Sequence, residues 1–244
     1  MNSKFLFLLL IAFSCQRKSD AKIDLKTLAD SSKIASHVVN LEKQELRFFW
    51  KDKQDSIYNT FQNLKTKLSQ NGEKLVFAMN GGMFNKDFSP QGLYIENGEL
   101  LSELDTQQIG YGNFYLQPNG IFWISNQNKA FVSTTSKFSL DNSIKFATQS
   151  GPMLLINGEI HPKLINGSKN LHIRNGVGVL PDGQVLFAIS KEPINFYDFA
   201  SFFKEKGCQN ALYLDGFVSK MYLPSKGWSQ LNSKFGVIIA ETEK

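Results

Sequence analysis

Short apolar runs separated by tight-turn residues constrain this chain more than any other feature. Asn97-Gly98 separates LYIE from ELLS, and Pro118-Asn119-Gly120 separates NFYLQ from IFWIS. Asn157-Gly158 separates MLLI from EI, and Pro181-Asp182-Gly183 separates VGVL from QVLFAIS. Asn-Gly and Asp-Gly adopt the positive φ angles that reverse a chain between two strands. Each site therefore predicts a hairpin, and their recurrence predicts a β-rich domain. Leu75–Met79 and Phe235–Ala240 read as further strands.

Helical spacing is rarer. Residues 54–69 place Ile57, Phe61, Leu64 and Leu68 on one face, with Asp55 or Ser56 to cap the start. Residues 196–206 place Phe196, Phe199, Ala200 and Phe203 on one face, with Asn195 as N-cap and Gly207 as the stop. This second helix lies between QVLFAIS and ALYL, which predicts a parallel strand pair joined by a right-handed crossover. The expected fold class is α+β: a single β-rich domain over residues 34–244, with a mixed sheet, several hairpins and at least one strand–helix–strand crossover. With 42% hydrophobic residues in 244, there is enough apolar material for a substantial core.

The N-terminus carries Lys4, an apolar run from Phe5 to Phe13, and then Ser14-Cys15. The run is shorter than the roughly 20 residues of a membrane-spanning helix and fits the apolar part of a secretory signal. Ser14 before Cys15 resembles a bacterial lipobox. In that reading residues 1–14 are a lipoprotein signal peptide, Cys15 is lipidated, and residues 15–33 are a polar tether. An ordinary signal peptide and an uncleaved anchor are the alternatives. The expected location is the bacterial cell envelope, with the membrane as a partner through Cys15. Cys208 then has no cysteine to pair with and reads as a buried apolar residue. The net charge of +5 comes from Lys spread along the chain, which excludes a nucleic-acid footprint. Arg occurs only at 17, 47 and 174.

Four segments put small or polar residues beside an apolar strand: Asn80-Gly81-Gly82, Gln149-Ser150-Gly151-Pro152, Arg174-Asn175-Gly176 and Asp215-Gly216-Phe217-Val218-Ser219. Successive glycines let a backbone approach an anion and aim N–H groups at it. Met83 and Phe84 then return the chain to the core, and a tight turn or β-bulge with no ligand is the alternative. Arg174 offers a planar fork for phosphate or carboxylate, or a structural ion pair. Asp215 ends a run apolar enough to desolvate it, so it needs a partner or a task, although Asp-Gly is also a turn former. His37, His161 and His172 lack metal-ligand spacing, and Ser150 lacks a nucleophile elbow.

In this order the segments MNGGMFNKDFSPQGLYIENGEL, NFYLQPNGIFWI, ATQSGPMLLINGEIHP, IRNGVGVLPDGQVLFAIS and NALYLDGFVSKMY resemble the phosphodiester glycosidase family, its bacterial exopolysaccharide-related branch in particular. The resemblance spans about residues 75–223. It implies a hydrolase that cleaves a sugar from a phosphodiester, with a phosphorylated carbohydrate as substrate. It implies Asp215 and Arg174 as catalytic residues, and Asn80, Gly81, Gly82, Ser150, Gly151, Asn175, Gly216 and Ser219 as substrate contacts. Elsewhere in the family the last segment reads more like DGGGSS, so Phe217 and Val218 depart from it. Glu192 follows a strand and is a candidate second carboxylate. No cofactor is predicted, and a divalent metal requirement is left open. The alternative is a lipoprotein that binds a phosphorylated glycan without cleaving it.

Overall fold

The computed structural model describes residues 33–215 and 217–244. The predicted signal peptide, Cys15, the tether apart from Lys33, and Gly216 lie outside the described residues. Numbered along the chain, the strands fall into three sheets. The first holds β1 (Ile34–Val39), β9 (Met153–Ile156), β10 (Glu159–Ile160), β11 (Asn175–Val179), β12 (Val185–Ser190) and β13 (Ala211–Asp215), in the order β1-β12-β11-β13-β9-β10. The second holds β2 (Glu45–Phe49), β3 (Lys74–Asn80), β14 (Met221–Leu223), β15 (Trp228–Ser229) and β16 (Ile238–Glu243), in the order β15-β14-β3-β16-β2. The third holds β4 (Tyr94–Glu96), β5 (Glu99–Ser102), β6 (Gly120–Ser125), β7 (Ala130–Thr134) and β8 (Ile144–Ser150), in the order β5-β4-β8-β6-β7. Two α-helices accompany them among the described residues, α1 (Phe61–Gln70) and α2 (Phe196–Glu205).

Every ladder between these strands is antiparallel, so the expected mixed sheet is corrected. The strand–helix–strand unit β12-α2-β13 is present, but its strands are not neighbours. Both pair with β11, one on each side, because the β11–β12 hairpin forms locally and leaves the other edge of β11 for β13. Three of the four predicted hairpins are found: β4–β5 around Asn97-Gly98, β9–β10 around Asn157-Gly158, and β11–β12 around Pro181-Asp182-Gly183. Asn97 and Gly98 take φ of 52° and 83°, the left-handed pair a two-residue turn requires. The fourth is not a hairpin. Residues 113–115 form a 3-10 turn around buried Phe114, and Asn119 donates through Nδ2 to Phe114 O before β6 begins.

The first helix is shorter than its spacing suggests. Asp55 and Asn59 are left-handed, and Ile57 bridges back to Lys51, so the helix starts at Phe61. Thr60 caps it, accepting from Asn63 N at 3.0 Å. The second helix matches expectation, capped by Asn195 with Phe196, Phe199, Ala200 and Phe203 buried. The final strand begins at Ile238 instead of Phe235.

Period-two alternation explains why several strands read as unbroken apolar runs. Val185, Phe187 and Ile189 of β12 face a central core shared by all three sheets, while Leu186 and Ala188 face α2. On β13, Leu212 and Leu214 face that core and Ala211 and Tyr213 face α2. Strands covered on both faces need no polar side. Helix α1 covers the outer face of the second sheet through Phe61, Leu64 and Leu68. Cys208 is buried beneath α2, and burial pushes its thiol up to about 12.

Candidate active site

The three sheets meet at one set of strand ends. Asn80 ends β3 of the second sheet, Ser150 ends β8 of the third, and in the first Asn175 opens β11 opposite Asp215, which ends β13. The β11–β13 register shifts between Asn175 and Gly176, leaving Leu214 as the extra residue on β13. Such a bulge re-aims the side chains beside it.

Asn175 ties these ends together. Its Oδ1 accepts from Asp215 N at 3.0 Å, and its Nδ2 donates to Asn80 Oδ1 at 2.9 Å and Asn80 O at 3.1 Å. Asn80 Nδ2 donates to Asp215 Oδ2 at 3.2 Å, while Asn80 Oδ1 also accepts from Lys220 N at 2.8 Å. The other carboxylate oxygen, Asp215 Oδ1, accepts from Phe217 N at 2.9 Å. Ser219 donates to Asp215 O at 2.5 Å, and Ser150 donates to Leu214 O at 2.7 Å. Buried amides cross-linked in this way hold a fixed geometry, since an unpaired group there costs about 1–3 kcal/mol.

Asp215 is 4% exposed and lines a cleft of about 310 Å³ together with Met83, Phe84, Gln91, Asn113 and Phe217. The cleft therefore has an apolar wall of Met83, Phe84 and Phe217, and polar groups on Gln91, Asn113 and Asp215. Phe84 stacks on Phe88 with centroids 5.5 Å apart, and the Trp50 indole donates to Phe88 O. Near Gln91 and Asn113, Tyr115 donates to Asp105 Oδ2 at 2.7 Å, and that bond raises the tyrosine's pKa.

Of the residues singled out in the sequence, Asp215 faces the cleft. Asn80, Ser150, Asn175 and Ser219 are gathered around it, but as the buried frame that holds its strand end. Ser150 is fully buried and commits its proton to the backbone carbonyl of Leu214. The glycines serve packing. A Cβ on Gly81 would lie 2.6 Å from Ile239 Cγ1, one on Gly82 would lie 2.7 Å from Thr148 Oγ1, and one on Gly151 would lie 2.7 Å from Phe114 O. Gly81 N–H is already given to Val237 O at 2.8 Å, which does not fit an anion nest. Gly216 lies outside the described residues. Glu192 is exposed in the turn after β12 and does not line the cleft. Met83 and Phe84 return to the core as expected, each packing half-buried against it, and they also wall the cleft. Gln91 and Asn113 were missed, since neither follows a strand that points to it. Among the described residues, no three His, Cys, Asp or Glu side chains cluster as metal ligands.

Arg174 stands apart from the cleft. It is fully buried, with Nε donating to Ile194 O at 2.8 Å and Nη2 to Asn170 O and Oδ1, both at 2.9 Å. Nη1 reaches Tyr213 OH at 3.3 Å, and the guanidinium lies 3.5 Å over the Phe196 ring. Burial lowers its pKa. A fork so engaged cannot grip a phosphate by two bonds without abandoning these partners. Its place between Asn175 in sequence and Tyr213 in space makes it a brace for the strands that carry the site. Arg174→Lys keeps the charge but not the fork. Loss of a charge-assisted hydrogen bond is worth roughly 1.5–3 kcal/mol, so the unfolding midpoint in urea is expected to drop by that equivalent. Unchanged stability with weakened phosphate binding would restore Arg174 as a ligand-gripping residue.

Comparisons with known proteins bear on the fold and the family. The chain is 34% identical over 220 residues to the uncharacterized protein YigE of Escherichia coli strain K12, covering 90% of this chain and 84% of that one. Its fold is similar to the zebrafish N-acetylglucosamine-1-phosphodiester alpha-N-acetylglucosaminidase catalytic domain auto-inhibited by its pro-peptide. That match has a TM-score of 0.55 at 14% identity, covering 87% of this chain and 89% of the zebrafish one. A putative exported protein from Burkholderia pseudomallei matches with a TM-score of 0.55 at 10% identity, over 85% of this chain and 73% of that one. The model of the phosphodiester glycosidase family matches residues 73–237, a span that contains Asn80, Ser150, Asn175 and Asp215 alike, and the chain belongs to that family.

Proposed function

We propose that this protein hydrolyses a sugar-1-phosphodiester at the anomeric carbon, releasing the sugar and a phosphomonoester. The observation that carries this reading is the Asp215 carboxylate, fixed by two N–H donors at the wall of a cleft large enough for a monosaccharide. Glycoside hydrolysis commonly employs two carboxyl groups, one to protonate a poor leaving group. A phosphomonoester leaves without that help, so one carboxylate suffices. Asp215 then activates water, attacks the anomeric carbon or stabilises the positive charge that develops there. Gln91 and Asn113 supply amides for sugar and phosphate oxygens. The name of the zebrafish relative points to the same bond.

The test is turnover of a panel of sugar-1-phosphodiesters, N-acetylglucosamine-1-phosphate methyl ester among them, by residues 16–244 in ¹⁸O-labelled water. Label in the released sugar supports C–O cleavage. Label in the phosphate would make the protein a phosphodiesterase that cuts P–O. Tight binding with no turnover would make it a glycan-binding module of the envelope.

We place this activity at the cell envelope, with Cys15 as a lipid anchor, on the strength of the short apolar run and Ser14-Cys15. A clickable fatty-acid analogue fed to expressing cells is expected to label the wild type and not Cys15→Ala. Equal labelling of both would remove the anchor from the proposal.

A further inference from the structure

We infer that Phe217 is a specificity-determining residue that selects substrates whose phosphate is esterified to an apolar or aromatic alcohol. The inference rests on the hydrolase reading above and adds the class of the leaving group. Phe217 is the residue where this chain carries a bulky ring in the Asp215 segment. Its backbone N–H binds Asp215 Oδ1 at 2.9 Å, which ties the residue to the reacting centre. Yet it is 97% exposed while lining the cleft, so its ring stands at the mouth. A phenyl ring left in water forgoes the stabilisation that burial gives. Nothing in the packing requires it, since Met83 and Phe84 already form the cleft's inner apolar wall.

A group that enters the cleft sugar-first, with its anomeric carbon at Asp215, must extend its phosphate ester outward past Phe217. The ring then covers whatever the phosphate carries. An apolar or aromatic alcohol gains contact there, and a methyl group gains almost none. Tyr111, fully exposed two residues before the lining Asn113, offers a second ring from the segment that supplies the polar wall.

The test compares methyl and benzyl diesters of one sugar 1-phosphate, by kcat/KM and by calorimetric Kd. Wild-type protein is expected to favour the benzyl diester by about tenfold, the size of one aromatic contact. The ratio is expected to fall toward one in Phe217→Ala and to sit between in Phe217→Leu. Equal handling of both diesters by the wild type, or a ratio that survives in Phe217→Ala, would overturn the inference and leave the hydrolase reading standing. Absence of turnover would sink the hydrolase reading, and the Kd ratios would then decide the role of Phe217 by the same comparison. Failure to bind either diester would overturn both.

Discussion

Asp215→Asn is expected to lower turnover of a sugar-1-phosphodiester by at least about a hundredfold, within the range of a lost general acid or base. The substitution preserves size and removes the charge and the basic oxygen. Its hydrogen bonds are not all preserved. Asp215 accepts from Asn80 Nδ2 and from Phe217 N, so the NH₂ of an asparagine must confront one of these two donors. The local cost is about 1.5–3 kcal/mol, that of one hydrogen bond to a charged group, and it is smaller than the roughly 5–15 kcal/mol that holds a domain folded. Affinity for the diester is expected to change far less than turnover, because a negative charge is removed beside an anionic ligand. Turnover, Kd and the urea midpoint measured together separate the outcomes. Equal turnover by wild type and variant would take the chemistry away from Asp215. A midpoint lowered far beyond one hydrogen bond would assign the loss to folding.

Much of the architecture is legible in the sequence because its signals are local. Asn97-Gly98, Asn157-Gly158 and Pro181-Asp182-Gly183 mark hairpins through φ angles few other residue pairs adopt. Helix α2 follows from Asn195 and the spacing of its phenylalanines. What fails is decided by a third strand or by a break inside the pattern itself. Whether β12 and β13 touch is decided by β11, and the start of α1 is decided by two left-handed residues inside an otherwise helical spacing.

The site divides in the same way. That Asn80, Ser150, Asn175 and Asp215 belong together is visible, since each is polar at the end of an apolar strand. Which of them meets a ligand is not visible. Ser150 turns to Leu214 O, and Arg174 is taken up by Ile194 and Asn170, residues of loops without a motif. The walls of the cleft come from Met83, Phe84, Gln91 and Asn113, whose approach to Asp215 follows from how three sheets meet. Phe217 stood out in the sequence as a departure from the family's small residues, and the structure gives that departure a position.

The frame behind Asp215 has its own measurable consequence. Asn175→Ala is expected to destabilise the domain by about 3–5 kcal/mol and to lower its melting temperature by roughly 10 °C. The amide is fully buried, and its removal takes a partner from Asp215 N and Asn80 O, while Asn80 Oδ1 keeps Lys220 N as its donor. Each buried group left without a partner costs about 1–3 kcal/mol. That is a large fraction of the roughly 5–15 kcal/mol that holds a domain folded. Asn175→Asp sharpens the test. It keeps the shape and the acceptor for Asp215 N, but it sets an oxygen where an N–H donates to Asn80 Oδ1 at 2.9 Å. It also places a second carboxylate beside Asp215. If the donating amide is what joins β3 to β11, the two variants lose similar stability, and both lose turnover because Asp215 is no longer held. If Asn175→Asp were as stable as the wild type, side-chain shape alone would account for the junction, and the amide network would not be what positions the carboxylate.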